Sequence, residues 1–187
     1  MTQLRHVLRD LVRLFDHLGI PYAVMGGIAV RVYGIPRPTH DIDFTASIPR
    51  PDLPAFYRAV EQLGYTVPEQ YASGWVNRVA EMPVVKVRLY LEGNGVDVDL
   101  FLAESAFQEE LLARRREEAI DDLKVWLVSP EDLILLKLLA HRPRDLSDAA
   151  DILFVQGQLD LPHMRRWAEQ LGVGAALQRL LSESPQS

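Results

Sequence analysis

Tyr22-Ala23-Val24-Met25-Gly26-Gly27-Ile28-Ala29-Val30-Arg31-Val32-Tyr33, with thirteen residues between the glycine pair and a following Asp41-Ile42-Asp43-Phe44, is the stretch on which the reading of this chain turns. The apolar run before Gly26 is too short for a helix and stops at two glycines, after which the pattern becomes that of a short helix. That sequence reads as strand, glycine turn, helix. Without a Cβ, backbone amides can approach an anion, and a helix N-terminus favours negative charge, so such a turn suits a triphosphate; an ordinary turn has the same form. Gly34 and Ile35-Pro36-Arg37-Pro38-Thr39 cannot continue a helix, because proline has no amide donor and restricts its predecessor. A strand over His40 to Ala46 follows. Side chains alternate along a strand, which sets Asp41 and Asp43 on one face with Cα atoms about 6.5 to 7 Å apart, and Ile42 and Phe44 on the other. Two carboxylates on one face repel, so a divalent cation is a natural partner; a solvated strand face is the alternative.

A second pair of the same kind lies further on. Val84 to Leu91 alternates as a strand, Gly93-Asn94-Gly95 supplies a turn, and Val96 to Leu102 reads as the returning strand of a hairpin carrying Asp97 and Asp99. If this strand lies beside Asp41 and Asp43, three carboxylates can surround two metal ions about 3.5 to 4 Å apart, as in-line phosphoryl displacement needs. Asp99 is the candidate third ligand, since Leu100-Phe101 follow it as in a strand heading into the core; Asp97 is the reserve. The chain has no cysteine, so any metal must be held by Asp, Glu or His, and carboxylates favour magnesium or manganese. His6, His17, His40, His141 and His163 show no metal-ligand spacing, and His40 would point to the face opposite the acids.

Upstream, Val7, Leu8, Leu11, Leu14, Phe15 and Leu18 repeat at helical spacing until Gly19 and Pro21. Asp52 to Leu63 reads as a helix and Gly64 to Val67 as a strand or edge, while Pro68 to Glu81 fits no element. Ser105 to Glu118 is a polar helix or loop in which Arg114-Arg115-Arg116, interleaved with glutamates, reads as a solvated helix face. Leu123 to Val128 adds a short strand. Ser129-Pro130-Glu131-Asp132 has a cap, a proline at the first helical position and acids in the first turn. Helices follow over 130–141, 145–156, 161–171 and 173–182, with a frayed tail over 182–187. The shift to helix near residue 129 divides a core of residues 1–128 from a helical part of residues 129–187. In that part Leu133 to Ala140 is apolar all round except Lys137, which needs an anion or a path to water. Asp145, Asp148 and Asp151 form an acid stripe in the next helix, where Asp148 stands above Asp151 as a functional candidate and a solvated surface is the competing reading. Trp167 reads as core, although Arg165 and Arg166 beside it could touch nucleic acid. Arg37 and Thr39 come within reach of a phosphate if their loop folds over the glycine turn; a plain loop is the alternative.

Length and composition restrict the class. The 187 residues suit one domain, or one with a small appendage, and 48% apolar residues with 25% charged ones predict a packed core. A net charge of -6 lacks the overall basic footprint of a non-specific nucleic-acid binder without excluding RNA. No apolar run approaches a membrane span, and Arg5, Arg9, Asp10 and Arg13 break the N-terminal stretch where a signal peptide would be apolar, which predicts a cytoplasmic protein.

Val24 to Ala29, Arg37 to Phe44 and Val98-Asp99-Leu100 together resemble the polymerase-beta-type nucleotidyltransferase superfamily, in particular its AbiEii/MNT-like bacterial group, which includes toxins of toxin-antitoxin systems. The resemblance spans residues 20 to 155. It implies an α/β nucleotidyltransferase fold, a small mixed sheet flanked by helices with a C-terminal helical part. By the same resemblance Gly26 and Gly27 hold the nucleotide phosphates, Asp41 and Asp43 bind two magnesium ions and Asp99 completes the site. Lys137, in a Pro-Glu-Asp-Leu-Ile-x-x-Lys helix, corresponds to a phosphate contact, and Arg144 to Asp148 to an element that shapes the cleft. Where the superfamily more often has Gly-Ser, this chain has Gly-Gly, so a serine hydroxyl contact to phosphate has no counterpart at Gly27. The implied reaction moves NMP from an NTP to a hydroxyl of an RNA or a protein, with an antitoxin as a further partner. Two alternatives stand beside it: a small-molecule enzyme of the aminoglycoside-modifying kind, and a catalytically idle nucleotide-binding module.

Overall fold

The sequence pattern that buries one face of the first helix also decides what lies behind the sheet. The computed structural model describes residues 2–91 and 94–183. Helix α1 (Thr2–Leu18) buries Val7, Leu11 and Phe15 and ends at Gly19, whose φ of 65° is a conformation glycine adopts without strain. Strand β1 (Tyr22–Met25), helix α2 (Gly26–Tyr33) and strand β2 (Asp41–Ala46) follow. Helix α3 (Leu53–Gln62) and strand β3 (Tyr65–Thr66) come next. The unassigned segment contains a short helix α4 (Glu69–Ala72) and strand β4 (Asn77–Val79). β4 turns into β5 (Met82–Leu91) through Ala80 and Glu81, with φ of 48° and 63° at two non-glycine residues, a turn chemistry that hid the hairpin from a sequence reading. β5 returns as β6 (Asn94–Leu102); Asn94 and Gly95 belong to the strand, and Gly93 of the expected turn lies outside the described residues.

The polar segment divides. Helix α5 (Ala106–Ala113) is capped by Ser105, whose hydroxyl accepts from the Gln108 amide, and strand β7 (Arg116–Ile120) pairs with β8 (Leu123–Leu127). The three arginines are therefore no solvated helix face. Arg114 approaches buried Asp132, Arg115 lies over the Trp126 ring at 4.7 Å, and Arg116 reaches buried Glu131. The terminal helices are α6 (Pro130–Ala140), α7 (Pro143–Gln156), α8 (Leu161–Gln170) and α9 (Gly174–Glu183). Ser129 caps α6 through the Asp132 amide, as the sequence predicts. Ser182 and Glu183, placed in the expected frayed tail, belong to α9, and residues 184–187 lie outside the described residues.

Among the described residues eight strands form one mixed sheet in the order β3-β5-β6-β2-β1-β8-β7, with β4 on β5. β2 is antiparallel to β1 and parallel to β6. Ile42 and Phe44 turn to the face covered by α1, where Phe15 meets Phe44 at 5.1 Å and Phe56 of α3 at 5.7 Å. That aromatic packing leaves the acids of β2 on the opposite face. α6 is buried from Pro130 to Leu138 and packs, with α7, against α2. Among the described residues no helix is long and apolar enough to cross a membrane.

Candidate active site

α2 begins where β1 ends, with no loop between, and the two glycines make that possible. Gly26 has φ of 62°, and a Cβ there would overlap the carboxylate of Asp43. A Cβ on Gly27 would lie 2.5 Å from Thr39 Oγ1. The pair thus lets two other segments press onto the N-terminus of α2, and both glycines line the cavity.

The acids meet through strand register. β2 and β6 run parallel with Asp41 opposite Asp97 and Asp43 opposite Asp99, so alternation sets all four carboxylates on one face, in two levels. The inner level, Asp43 and Asp99, is the one beside Gly26. Burial first, and then the charges of Asp41 and Asp99, push the Asp43 carboxyl up to about 7, against the pull of Lys137 and Arg142. Asp41 is exposed and accepts a hydrogen bond from the Thr39 hydroxyl at 2.9 Å.

The neighbouring strand answers the acids of β6 with cations. Lys86 of β5 pairs with Asp99, its Nζ 2.6 and 2.7 Å from the two carboxylate oxygens. Arg88 forks onto both oxygens of Asp97 and holds that carboxyl below the usual range. Sequence reasoning missed both residues. The signal was present in the alternation Lys86-Val87-Arg88-Leu89 facing Val96-Asp97-Val98-Asp99, but a turn placed on residues 93 to 95 shifts the hairpin out of this pairing. Among the described residues neither Asp41 nor Asp43 has an ion-pair partner, and no three acids or histidines converge closely enough to hold a metal ion as they stand.

The far wall of the cavity is a buried charge network. Lys137, 5% exposed, donates to Asp145 at 2.9 Å and meets Asp148 at 2.8 Å. Asp148 also receives both arms of the Arg37 guanidinium at 2.7 Å, and Asp145 receives Arg142. Burial alone would raise both carboxyls; the hydrogen bonds from Arg142 and Lys137 to Asp145, and from Arg37 and Lys137 to Asp148, hold them below the ordinary range. Lys137 therefore neither snorkels to water nor stands free, and Asp148 is no solvated surface acid. Arg144 donates to the Pro38 carbonyl at 3.1 Å, a second tie between α7 and the loop before β2. His40 precedes the strand and lines the cavity instead of turning away, because alternation starts only at Asp41. Arg166 pairs with Glu110 and Trp167 packs on Phe107 in the core. The cavity, about 300 Å³, is lined by Gly26, Gly27, Asp41 and Asp43 together with the apolar Met82, Phe101, Leu133 and Leu136.

The family described as "Nucleotidyl transferase of unknown function (DUF2204)" matches residues 3–162. The chain belongs to it. This nucleotidyl transferase also has the fold of solved structures at low identity. An antigenic nucleotidyltransferase-like protein from Paracoccidioides brasiliensis aligns with a TM-score of 0.59 at 20% identity, over 98% of this chain and 94% of that one. The antibiotic-resistance factor ANT(2'')-Ia in solution aligns at 0.56 and 15%, over 97% and 94%. ANT(2'')-Ia in complex with adenylyl-2''-tobramycin aligns at 0.55 and 17%, over 96% and 98%. No curated protein matches the sequence.

Proposed function

We propose that this nucleotidyl transferase moves a nucleoside monophosphate from an NTP to a hydroxyl of an RNA or a protein, as an AbiEii/MNT-like toxin restrained by a cognate antitoxin. Such substrates imply work in the cytoplasm. The observation that carries the reading is the register of β2 on β6, which lines up Asp43 and Asp99 beside the glycine start of α2. The donor set is all oxygen, and burial with the charges of Asp41 and Asp99 raises the Asp43 carboxyl to about 7, a cost that a bound cation would offset, so the residues fit a magnesium or manganese ion. Asp41 and Asp43 would hold it, with the Asp99 carboxylate, paired with Lys86, beside them. When bound, the metal would neutralise phosphate oxygens and lower the pKa of the acceptor hydroxyl.

The chain's own groups supply the rest. The amides at Gly26 and Gly27 bind the triphosphate, and the Arg37, Lys137 and Arg142 network adds positive potential along the wall it lies against. Thr39 orients Asp41 through its hydroxyl. As the acceptor oxygen bonds to the α-phosphorus, the bond to the β-phosphate oxygen breaks and pyrophosphate leaves; the hydroxyl proton passes to Asp99. A cavity of about 300 Å³ is at the lower end for a ligand site, which leaves the acceptor to enter from the open side by a single hydroxyl, as a macromolecule would.

The near full-length likeness to ANT(2'')-Ia favours a second reading, a small aminoglycoside-like acceptor. Incubation with each labelled NTP, magnesium and cell extract, or with an aminoglycoside in place of extract, separates the two by where the label goes. Asp43→Ala removes transfer in either case; labelling that survives this substitution overturns the assignment.

A further inference from the structure

We infer that Lys86 is a resident cation on Asp99, so that the carboxylate site takes one divalent ion, between Asp41 and Asp43, rather than two. This rests on the nucleotidyl-transfer reading above and specifies the charge on its metal site.

The two flanks of the acid-bearing strands are unlike. On the β6 side, β5 supplies one cation for each acid at matching register, Lys86 for Asp99 and Arg88 for Asp97. On the β2 side, β1 sets the apolar Met25 opposite Asp43. The protein has thus neutralised the acids of one strand and left those of the other to a ligand. Lys86 does so in the position that matters, because its ammonium contacts both oxygens of Asp99, at 2.6 and 2.7 Å, as a chelated cation would. A carboxylate has about four lone-pair sites, of which the ammonium takes two; the remainder can accept a hydrogen bond from an acceptor hydroxyl without a second metal.

Charge counting favours the same conclusion. Magnesium binds carboxylate oxygen at about 2.0 to 2.1 Å, so an ion on Asp99 would lie within about 5 Å of the ammonium, a distance at which partly buried charges are little screened. With one ion, the three carboxylates Asp41, Asp43 and Asp99 meet three positive charges. A second ion would leave the group doubly positive before any nucleotide arrives. Lys86 would have to swing away first, abandoning a hydrogen-bonded, partly buried pair.

The test counts ions instead of turnover. Manganese binding to the full chain is titrated by the loss of its free-ion electron paramagnetic resonance signal, alone and with the α,β-methylene analogue of each NTP. The native protein should bind one ion per chain in its nucleotide complex, Lys86→Arg one, and Lys86→Met two. Two ions in the native complex overturn the inference and leave nucleotidyl transfer standing; one ion in a folded Lys86→Met complex also overturns it. No ion in any native complex overturns both. Should Lys86→Met not fold, the native count alone decides, one ion in favour and two against.

Discussion

Replacing Asp43 by asparagine should make the metal-free protein more stable while abolishing its transfer activity. In the folded chain the Asp43 carboxyl sits at about 7 instead of 3.8, chiefly through burial and then through Asp41 and Asp99. At roughly 1.4 kcal/mol per pKa unit, holding that carboxylate ionised in the native state costs about 4 kcal/mol above pH 7. Asparagine has nearly the same shape and carries no charge, so Asp43→Asn should recover about 2 to 4 kcal/mol at pH 8. The sign with pH follows from the raised value. Between about pH 4 and pH 7 the folded state binds the proton more tightly than the unfolded chain, so this residue's contribution to stability falls as pH rises through that window. The advantage of the variant should therefore shrink by about 2 to 3 kcal/mol on going from pH 8 to pH 5.

Urea unfolding followed by the fluorescence of Trp75, Trp126 and Trp167 measures both proteins at each pH. Magnesium supplies a control, since an ion that binds only the folded native site at a hundred times its dissociation constant adds about 2.7 kcal/mol, and it should add nothing to Asp43→Asn. An advantage that stays the same at pH 5 and pH 8, or a variant weaker than the native protein at pH 8, would falsify the argument that this carboxylate is held without a counter-charge.

Other perturbations address the cavity walls. Gly26→Ala should destabilise by about 1 to 3 kcal/mol and reduce transfer, because φ of 62° and the Asp43 carboxylate leave no place for a methyl; a melting temperature equal to the native one refutes this. Gly27→Ala should be damaging alone and partly rescued by Thr39→Gly, since the Thr39 side chain is what it meets; additive losses in a double-mutant cycle would exclude that contact as the cause. Lys137→Met should cost about 3 to 5 kcal/mol in urea unfolding by leaving Asp145 and Asp148 short of a buried counter-charge, and a loss below about 1 kcal/mol would show that Arg37 and Arg142 suffice.

The elements that were legible in the sequence are those whose pattern has a single physical outcome. α1 follows from apolar spacing, α6 from the Ser129 cap with a proline and acids in the first turn, and β1 with α2 from a run that stops at two glycines; the alternation of Asp41-Ile42-Asp43-Phe44 puts acids and core residues on opposite faces wherever the strand goes. What escaped depended on partners distant in sequence. β7 is made of Arg116 to Ile120, with no apolar alternation to announce it, and it exists because β8 offers an edge. Arg114 and Arg116 looked solvated because their glutamate neighbours were at hand, whereas their partners Asp132 and Glu131 lie in the first turn of α6. Lys137 was visible as an anomaly in an apolar helix, but its two carboxylate partners are set by how α7 folds back on α6.

Strand sense sets the levels of Asp97 and Asp99. Alternation alone puts both on the same face and says nothing about depth. Because β6 runs parallel to β2, Asp99 falls level with Asp43, beside the glycine start of α2, and Asp97 falls level with exposed Asp41. An antiparallel neighbour would have exchanged the two levels, and no residue within either strand records which sense is used. The long connection between them, through α3, β3, α4, β4 and β5, is what a parallel pair requires. It also delivers β5 to the outer side of β6, so that the excursion that fixes the depth of Asp99 carries Lys86 and Arg88 to the acids they neutralise.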